Sequence, residues 1–211
     1  MAARRQPRTR AQQAQETRDD VLKAARVEFE RWGFEAANLR AIAKRAGVSA
    51  ATVLHHLGDK RELLYAALFS DLDATLAHAF DGLEALPLPE ALTQVAERVF
   101  DYYRRRPGLS RVLLKESLFA EGPWAARFVG QVTGVHQHLA AHVRRAVERG
   151  ELRADTDAAM SATAWFSFFY FALIGWVQGS VSDPVALVGR LFEQHLHGLR
   201  PTSTPARGSH R

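Results

Sequence analysis

The 211-residue sequence predicts an all-α protein, with a small N-terminal three-helix domain followed by a larger helical domain. Two observations carry this prediction. Apolar residues recur at steps of three and four, the period of one face of an α-helix. Gly and Pro interrupt that pattern at intervals typical of helices, as at Gly33, Gly47, Pro87, Pro107 and Pro123. The sequence has no Cys, so neither a disulfide framework nor a thiolate metal site is available.

The N-terminal third shows three helices in quick succession. The first is expected over residues 17–32 and ends at Gly33. Its apolar face consists of four residues at helical spacing: Leu22, Ala25, Phe29 and Trp32. Asn38 is suited to cap a short second helix at about 39–46, because its side-chain oxygen can accept a hydrogen bond from a free N–H of the first turn.

A tight turn separates the second helix from the third. Gly47 stands where a helix commonly ends in a left-handed residue, and Ser49 can cap a third helix at about 50–56, with Val53 facing inward. Two short helices joined by such a turn, after a supporting first helix, form a helix-turn-helix. An ordinary helical hairpin is the alternative interpretation.

The charge distribution favours the helix-turn-helix. Residues 1–62 carry 13 basic and 8 acidic residues, whereas the remaining 149 residues carry 15 of each. Between Glu35 and Asp59 there is no acidic residue at all. A solvated face usually mixes both signs, whereas a face that meets phosphates excludes carboxylates. The N-terminal third therefore has the charge pattern of a DNA-binding domain.

Short elements of residues 21–64 also stand in a characteristic order. They are Ala24-Ala25, Phe29, Gly33-Phe34, Ile42-Ala43, the run AGVS at 46–49, His56, and Lys60 to Leu64. In combination they resemble the DNA-binding domain of the TetR family of bacterial transcriptional regulators. The sequence departs from the family at Ala51, Leu54 and Leu57. Leu54 stands where the family usually has a Tyr that touches the DNA backbone, so it either meets a thymine methyl group or packs.

We expect the DNA contacts to come from the second and third helices. The predicted DNA-binding residues are Asn38, Arg40, Ser49, Ala50, Thr52, His55, His56 and Lys60. Arg40 matches a base-contact position of the family, and its guanidinium suits guanine O6 and N7. Small Ala50 lets the third helix lie deep in the major groove, and Lys60 can anchor a phosphate. For the two histidines, a surface or packing role is the alternative.

The predicted organisation has four parts. A basic flexible arm covers residues 1–16, the helix-turn-helix domain 17–64, a helical effector-binding and dimerisation domain 65–200, and a flexible tail 201–211. Four arginines of the arm either enter the minor groove or only increase solubility: Arg4, Arg5, Arg8 and Arg10. Beyond Leu64, helices are expected at about 61–84, 90–106, 109–120, 124–149, 157–178 and 184–198.

Residues 158–182 carry no charge and are long enough to span a membrane. Asp157 and Asp183 bracket this segment, whereas a membrane span usually has Lys or Arg at a flank. A helix that is apolar nearly all round must otherwise be buried on two sides, and a second subunit can supply the additional cover. The sequence therefore predicts a homodimer, through residues 157–198, and no membrane insertion.

The C-terminal domain is rich in aromatic residues, which indicates a pocket for a small, mainly apolar effector. The predicted pocket residues are Phe100, Tyr103, Phe119, Trp124, Phe128, His138, His142, Phe166, Phe169 and Tyr170. A plain core role is the alternative for most of them. The spacing of His138 and His142 suits a metal, but no acid completes a set, so we expect ligand hydrogen bonding rather than metal binding.

These patterns together predict a cytoplasmic, sequence-specific transcriptional regulator without cofactor. We expect a repressor that leaves a near-palindromic operator when its effector binds. A ligand-independent DNA-binding protein is the alternative. No Gly-rich phosphate loop, nucleophile motif or catalytic metal motif occurs, so no catalytic residue is expected.

Overall fold

The computed structural model describes residues 9–119 and 121–201. Within these ranges the chain is all-α, as the sequence predicts, and forms no strand. Its helices are α1 (Arg10–Ala36), α2 (Leu39–Ala46), α3 (Ala50–Leu57), α4 (Lys60–Ala79), α5 (Leu88–Arg105), α6 (Pro107–Leu118), α7 (Gly122–Glu148), α8 (Ala158–Val177) and α9 (Pro184–His197).

The first helix begins earlier than the sequence predicts. Thr9 and Gln12 form a capping box, in which the Thr9 hydroxyl accepts from Gln12 N at 3.2 Å and Gln12 Oε1 accepts from Thr9 N at 2.9 Å. Residues 10–16 of the expected flexible arm are therefore helical, and Arg10 is the exposed first residue of α1. Arg4, Arg5 and Arg8 lie outside the described residues, as does nearly all of the expected tail 201–211.

Gly33 breaks the helical conformation near the end of α1. Its φ of 72° and ψ of 177° belong to a region that residues with a Cβ rarely adopt. The chain therefore changes direction after Trp32, whose side chain is 53% exposed with the guanidinium of Arg31 4.9 Å from the ring centroid. The prediction that Trp32 shares the buried face of α1 is wrong, although Leu22, Ala25 and Phe29 do form that face.

The chain divides into two compact units. The first contains residues up to Ala74 together with 103–128, and the second contains residues 75–102 and 129 onward. In the first unit, Arg26 on α1 donates to the carbonyl of Ala67 on α4 at 3.0 Å. Asp71 on α4 pairs with Arg26 at 3.6 Å and with Arg106 at 2.9 Å. These contacts fasten α1 to α4 and to the residue that precedes α6.

Two further contacts place α6 and the start of α7 in the first unit. The Glu30 carboxylate accepts from the backbone N–H groups of Gly108 and Leu109, at 3.2 and 2.7 Å, and so caps the N-terminus of α6. The Trp124 ring on α7 stacks on Phe69 of α4, with ring centroids 5.4 Å apart. This grouping differs from the expected boundary at residue 64, because these contacts join residues far apart in the sequence.

The second unit has its own aromatic core, with α8 packed on α9. Phe169 on α8 lies 4.6 Å from Phe100 on α5 and 5.4 Å from Trp165, measured between ring centroids. At the other end of this unit, α4 stops at Ala79 rather than near residue 84. There the guanidinium of Arg98 donates to the carbonyls of Ala79 and Asp81. In a longer helix, these carbonyls would have accepted hydrogen bonds from backbone N–H groups four residues further along.

Helix α8 is the single described helix whose length and composition would allow it to span a membrane. One of its faces is buried in the second unit and includes Ala162, Trp165, Phe169 and Leu173. The core helix of a folded domain has the same properties, so these features do not indicate a membrane protein.

Candidate nucleic-acid interface

The turn between α2 and α3 has the geometry that the sequence predicts. Gly47 adopts a left-handed conformation, with φ 71° and ψ 26°. The N–H of Val48 bonds to the carbonyl of Ala43 at 3.0 Å, which closes the end of α2 in a Schellman arrangement. Any other residue at position 47 would carry a Cβ in this conformation, so the glycine is needed for the turn.

Both helices of the motif start at a capping side chain. Asn38 Oδ1 accepts from the N–H of Arg40 at 2.8 Å, and Ser49 Oγ accepts from the N–H of Thr52 at 3.0 Å. The hydroxyls of Ser49 and Thr52 are also 2.8 Å apart. Asn38 and Ser49 therefore have structural roles at helix N-termini, in addition to any contact with DNA.

Helix α3 presents one face to solvent and buries the other. Val53 and Leu57, four residues apart, are buried. Ala51, Leu54 and His55 lie on the opposite, exposed face, and Leu54 is 45% exposed. Leu54 is thus not a core residue, and its contact with a thymine methyl group stays a prediction. Thr52 and His56 lie half-exposed at the edges of this face, and Ala50 is half-exposed at the first turn.

The exposed surface of α2 is basic. Arg40, Lys44 and Arg45 are all exposed, whereas Ile42 and Ala43 are buried. No acidic residue occurs between Glu35 and Asp59, so no carboxylate of α2 or α3 competes with a phosphate for these cations.

Lys60, predicted as a phosphate contact, starts α4 and is half-exposed. Its ammonium donates to the carbonyl of Glu35 at 2.8 Å and lies 5.0 Å from the centroid of the Phe34 ring. An ammonium has three N–H donors, so two remain for an anion. Asp59 caps α4 by accepting from the N–H groups of Arg61 and Glu62, both at 2.8 Å.

The two histidines stand at the C-terminal end of α3. Their rings contact each other edge to face, with centroids 5.4 Å apart. The carbonyl of His56 accepts a hydrogen bond from Nη1 of Arg18 on α1, at 3.0 Å. The sequence did not predict this contact, because no local pattern relates two residues that are 38 positions apart.

Residues 21–67 match the profile of "Bacterial regulatory proteins, tetR family". The matched range begins in α1 and ends in α4, so it contains both helices of the motif and the turn between them. The chain thus carries a DNA-binding domain of the TetR family. It is therefore a helix-turn-helix transcriptional regulator, as the resemblance of residues 21–64 implies.

Full-length relatives agree with this assignment. The chain is 27% identical to the HTH-type transcriptional regulator UidR of Escherichia coli (strain K12), over 76% of this chain and 82% of that protein. It is 25% identical to the HTH-type transcriptional repressor AcnR of Corynebacterium glutamicum, over 66% of this chain and 70% of that protein. Both relatives are HTH-type transcriptional regulators.

Solved structures show that the TetR fold extends beyond the matched range. The transcriptional regulator FadR of Bacillus subtilis, in complex with stearoyl-CoA, aligns with a TM-score of 0.71 over 86% of this chain and 99% of that chain. At 18% sequence identity this similarity concerns the fold alone.

The aromatic residues predicted to line an effector pocket fall into two groups. Tyr103, Phe119, Trp124 and Phe128 belong to the first unit. Trp124 stacks on Phe69 and donates from Nε1 to Glu62 at 2.8 Å, and Phe128 meets Phe69 edge to face at 6.5 Å.

Two of the proposed pocket residues in the first unit differ in exposure. Phe119 follows α6 and is 80% exposed in the single chain, and its place in a pocket wall stays a prediction. Sequence periodicity could not show that the helix ends just before it. Tyr103 is buried, and its backbone carbonyl accepts from the hydroxyl of Ser110 at 2.9 Å.

The remaining candidates belong to the second unit. Phe100 and Phe169 are buried against each other, which is the core role left open by the sequence. Phe166 and Tyr170, one turn apart on α8, stack with centroids 5.6 Å apart and are half-exposed. His136 on α7 lies 4.7 Å from the Phe166 ring, and no sequence pattern singled it out as a neighbour of that ring.

Two histidines of α7 pack against Phe80 of the same unit. His138 is exposed and stacks on the Phe80 ring at 4.9 Å, whereas His142 is buried 5.9 Å from that ring. Burial lowers the pKa of His142 below its ordinary value, and the nearby Arg145 lowers it further. Within residues 9–119 and 121–201, no three His, Cys, Asp or Glu side chains converge as a metal site would require.

A shallow groove in the second unit was not predicted. It has a volume of about 370 Å³ and is lined by Pro87, Leu88, Pro89, Glu151, Leu152, Leu196 and Arg200. None of the predicted effector residues borders it.

An uncharged stripe of α8 is exposed in the single chain. Met160 and Phe171 are 64% and 63% exposed, and Thr163 and Ser167 lie between them on the same face. The Thr163 hydroxyl donates to the Ala159 carbonyl at 3.0 Å, and the Ser167 hydroxyl to the Thr163 carbonyl at 2.8 Å. Because both hydroxyls already have acceptors within the helix, this stripe can be covered by an apolar surface at little cost.

Proposed function

We propose that this TetR-family regulator is a repressor, which binds a near-palindromic operator as a homodimer and leaves it when a small, mainly apolar effector binds. The observation that carries the DNA-binding part is the exposed face of α3. On that face the side chains of Ala51 and Leu54 carry no charge, and His55 lies next to them. The basic helix α2 precedes α3 in the sequence. A helix of this kind fits the major groove, where base edges are distinguishable.

Each predicted DNA-binding residue has a definite role in this proposal. Arg40 reads a guanine with its fork of donors, whereas Lys60 holds a phosphate. Asn38 and Ser49 cap the N-termini of α2 and α3. The hydroxyl groups of Ser49 and Thr52, which contact each other, can also form a hydrogen bond with a phosphate or a base edge. Ala50, Thr52, His55 and His56 are the other residues of α3 that we propose to contact the bases or the DNA backbone.

The homodimer is proposed to form through α8 and α9. The exposed stripe of α8 from Met160 to Phe171 lacks charge over about three helical turns. On α9, Leu187 and Leu191 are half-exposed and lie one helical turn apart, on the same face of the helix. Pairing these helices with those of a second copy would remove the apolar stripe from water, which is favourable in proportion to its area. A two-fold dimer presents two recognition helices, so its operator is expected to be a near-palindrome.

The effector is proposed to bind within the aromatic part of the second unit. Phe166, Tyr170 and His138 or His142 supply apolar surface and a hydrogen-bonding group. The stearoyl-CoA complex of FadR supports a ligand that carries a long hydrocarbon chain.

Release from the operator requires a difference in affinity, not merely tight binding. An effector shifts the protein away from DNA only if it prefers the arrangement that cannot bind the operator. By linkage, operator DNA must then weaken effector binding by the same factor. We place this activity in the cytoplasm, where operator DNA and metabolites are both accessible.

The test is a ligand titration with and without operator DNA, read by tryptophan fluorescence. Stearoyl-CoA, free stearate and a set of aromatic drug-like compounds serve as probes. We expect at least one probe to bind, to weaken operator binding, and to be weakened equally by the operator. If every probe that binds leaves operator affinity unchanged at saturation, the ligand-independent DNA-binding protein becomes the better account.

A further inference from the structure

Arg18 on α1 holds the far end of the recognition helix. Its Nη1 donates to the backbone carbonyl of His56 at 3.0 Å, and the side chain is half-buried. His56 lies in the last turn of α3, where carbonyl groups have no partner within the helix. The guanidinium therefore caps the C-terminus of α3 from a different helix.

This cap is important for the position of α3, because the helix makes few other contacts with the rest of the domain. The helix has eight residues and buries Val53 and Leu57 alone. Helices of this length are not stable by themselves, so contacts with their surroundings fix them. Ser49 fixes the N-terminal end, and Gly58 closes the last turn by bonding to the Leu54 carbonyl at 2.9 Å. Arg18 adds the connection from that last turn to α1.

The electrostatics favour the same arrangement. The C-terminal end of a helix carries partial negative charge, which a guanidinium stabilises. A charge-assisted hydrogen bond is also shorter and stronger than a neutral one. Arg18 thus restricts both the position and the orientation of the turn that carries His55 and His56.

We propose that Arg18 is a positioning residue for sequence discrimination, which acts by fixing the C-terminal turn of α3 rather than by touching DNA. The inference rests on the proposed role of α3 as the recognition helix. A loosened α3 loses the base contacts that require defined geometry, whereas phosphate contacts from α2 and α4 persist. The affinity for the operator should therefore fall, and the affinity for unrelated DNA should not.

A direct phosphate contact by Arg18 would give a different result. A guanidinium has five N–H donors, so the bond to His56 leaves others available. Loss of a phosphate contact weakens binding to all sequences alike, and it makes the salt dependence shallower by about one unit of slope. The two roles are thus separable by one set of binding curves.

The experiment uses the full-length protein and the operator that the wild type selects from random-sequence DNA. Dissociation constants are measured for this operator and for a scrambled duplex, at several salt concentrations. The variants are Arg18→Met and, as a control that also removes an α1 cation, Lys23→Met. Lys23 pairs with Asp20 at 3.7 Å on the exposed side of α1.

For Arg18→Met we expect operator affinity to fall about tenfold, scrambled-DNA affinity to stay within about twofold, and the salt slope to be unchanged. Lys23→Met should match the wild type. Equal weakening on both duplexes, or unchanged affinity for both, would overturn the proposal. Failure of the wild type to select any operator would instead refute the proposed function itself, and with it this inference.

Amide hydrogen exchange reports the position of α3 without DNA. In Arg18→Met, exchange should accelerate for the amides of the last turn of α3 and stay unchanged in α2. Unaltered exchange throughout α3 would contradict the cap. If Arg18→Met does not fold, Arg18→Gln replaces it, because a shorter, uncharged amide side chain removes the charge-assisted bond to the His56 carbonyl. Arg18→Gln should then lose part of the operator preference, and full retention would overturn the proposal.

Discussion

The carboxylate of Glu30 accepts a hydrogen bond from the backbone N–H of Leu109 at 2.7 Å, across 79 positions of sequence. A second bond, from the N–H of Gly108 at 3.2 Å, completes the cap of α6. Gly108 approaches Glu30 so closely that an added Cβ would lie 3.3 Å from Oε1 and 3.4 Å from the Glu30 carbonyl oxygen. Helix α1, which supports the helix-turn-helix, therefore contacts α6 directly.

Replacing Glu30 should destabilise the protein. We expect Glu30→Ala to lower the free energy of unfolding by about 1–2 kcal/mol, because two N–H groups lose their acceptor at a helix N-terminus. Urea denaturation followed by circular dichroism measures this difference. Glu97→Ala, at an exposed position of α5, is the control and should change stability by less than about 0.5 kcal/mol. Equal effects in both variants would contradict the capping role.

Arg40 should read a base rather than merely supply charge. We expect Arg40→Ala to weaken operator binding by about 1–3 kcal/mol and to relax the preference at one base pair of each half-site. Lys60→Ala should instead weaken all sequences alike. Competition binding against operators with single base-pair changes measures both effects, with Lys23→Ala as the control for lost charge. An Arg40→Ala variant with the preference of the wild type at every position would exclude base readout.

The dimer interface should be sensitive to charge at exposed positions of α8. Phe171→Glu places a carboxylate in the proposed apolar interface without disturbing the core of the single chain, since Phe171 is 63% exposed there. We expect sedimentation at micromolar concentration to show monomers for this variant and for Leu191→Glu. Val129→Glu, at a similarly exposed position of α7, should remain dimeric. If the Phe171→Glu variant is still a dimer, the interface does not include this stripe of α8. If the wild type is a monomer, the proposed dimer does not exist.

Stability should fall in mild acid through His142. Burial lowers the pKa of this imidazole in the folded protein, and Arg145 and Arg149 add to the effect while Glu84 opposes it. The unfolded chain therefore binds this proton more readily than the folded protein. Stability should decrease as the pH falls below the unfolded pKa of about 6.5 and should level off once the pH is below the folded pKa.

Comparison of urea denaturation at about pH 7.5 and pH 5.5 tests this linkage. Other groups also titrate in this range, so the informative quantity is the difference between variants. His142→Gln should lose less stability on acidification than the wild type, whereas His197→Gln, at an exposed position of α9, should lose as much. The same loss in all three proteins would show that His142 does not cause it.

The sequence predicted those parts of the fold that depend on neighbouring residues. The caps at Asn38 and Ser49 and the left-handed Gly47 are local features, and the structure contains all three. Helices α5 to α9 begin and end within a few residues of the expected positions, since Pro and Gly mark their ends. The capping box of Thr9 and Gln12 is equally local, and it makes residues 10–16 helical where a flexible arm was expected.

The contacts that fasten the helices together could not be predicted. Arg18 meets His56 and Glu30 meets Leu109 only because the chain folds back on itself, and neither pair leaves a pattern in the sequence. Aromatic content predicted an effector pocket, but it could not separate exposed Phe119 from Phe100, which is fully buried. The roles of the pocket residues therefore remain predictions that ligand binding must test.

Selection from random-sequence DNA, followed by sequencing of the bound fraction, tests the central claim most directly. The account predicts enrichment of one near-palindrome, with half-site centres separated by about one helical turn, roughly 34–36 Å, or a multiple of it. It also predicts that Arg40→Ala selects a sequence degenerate at one position of each half-site. A bound fraction with no enriched sequence, and equal affinity for all duplexes at each salt concentration, would contradict the account.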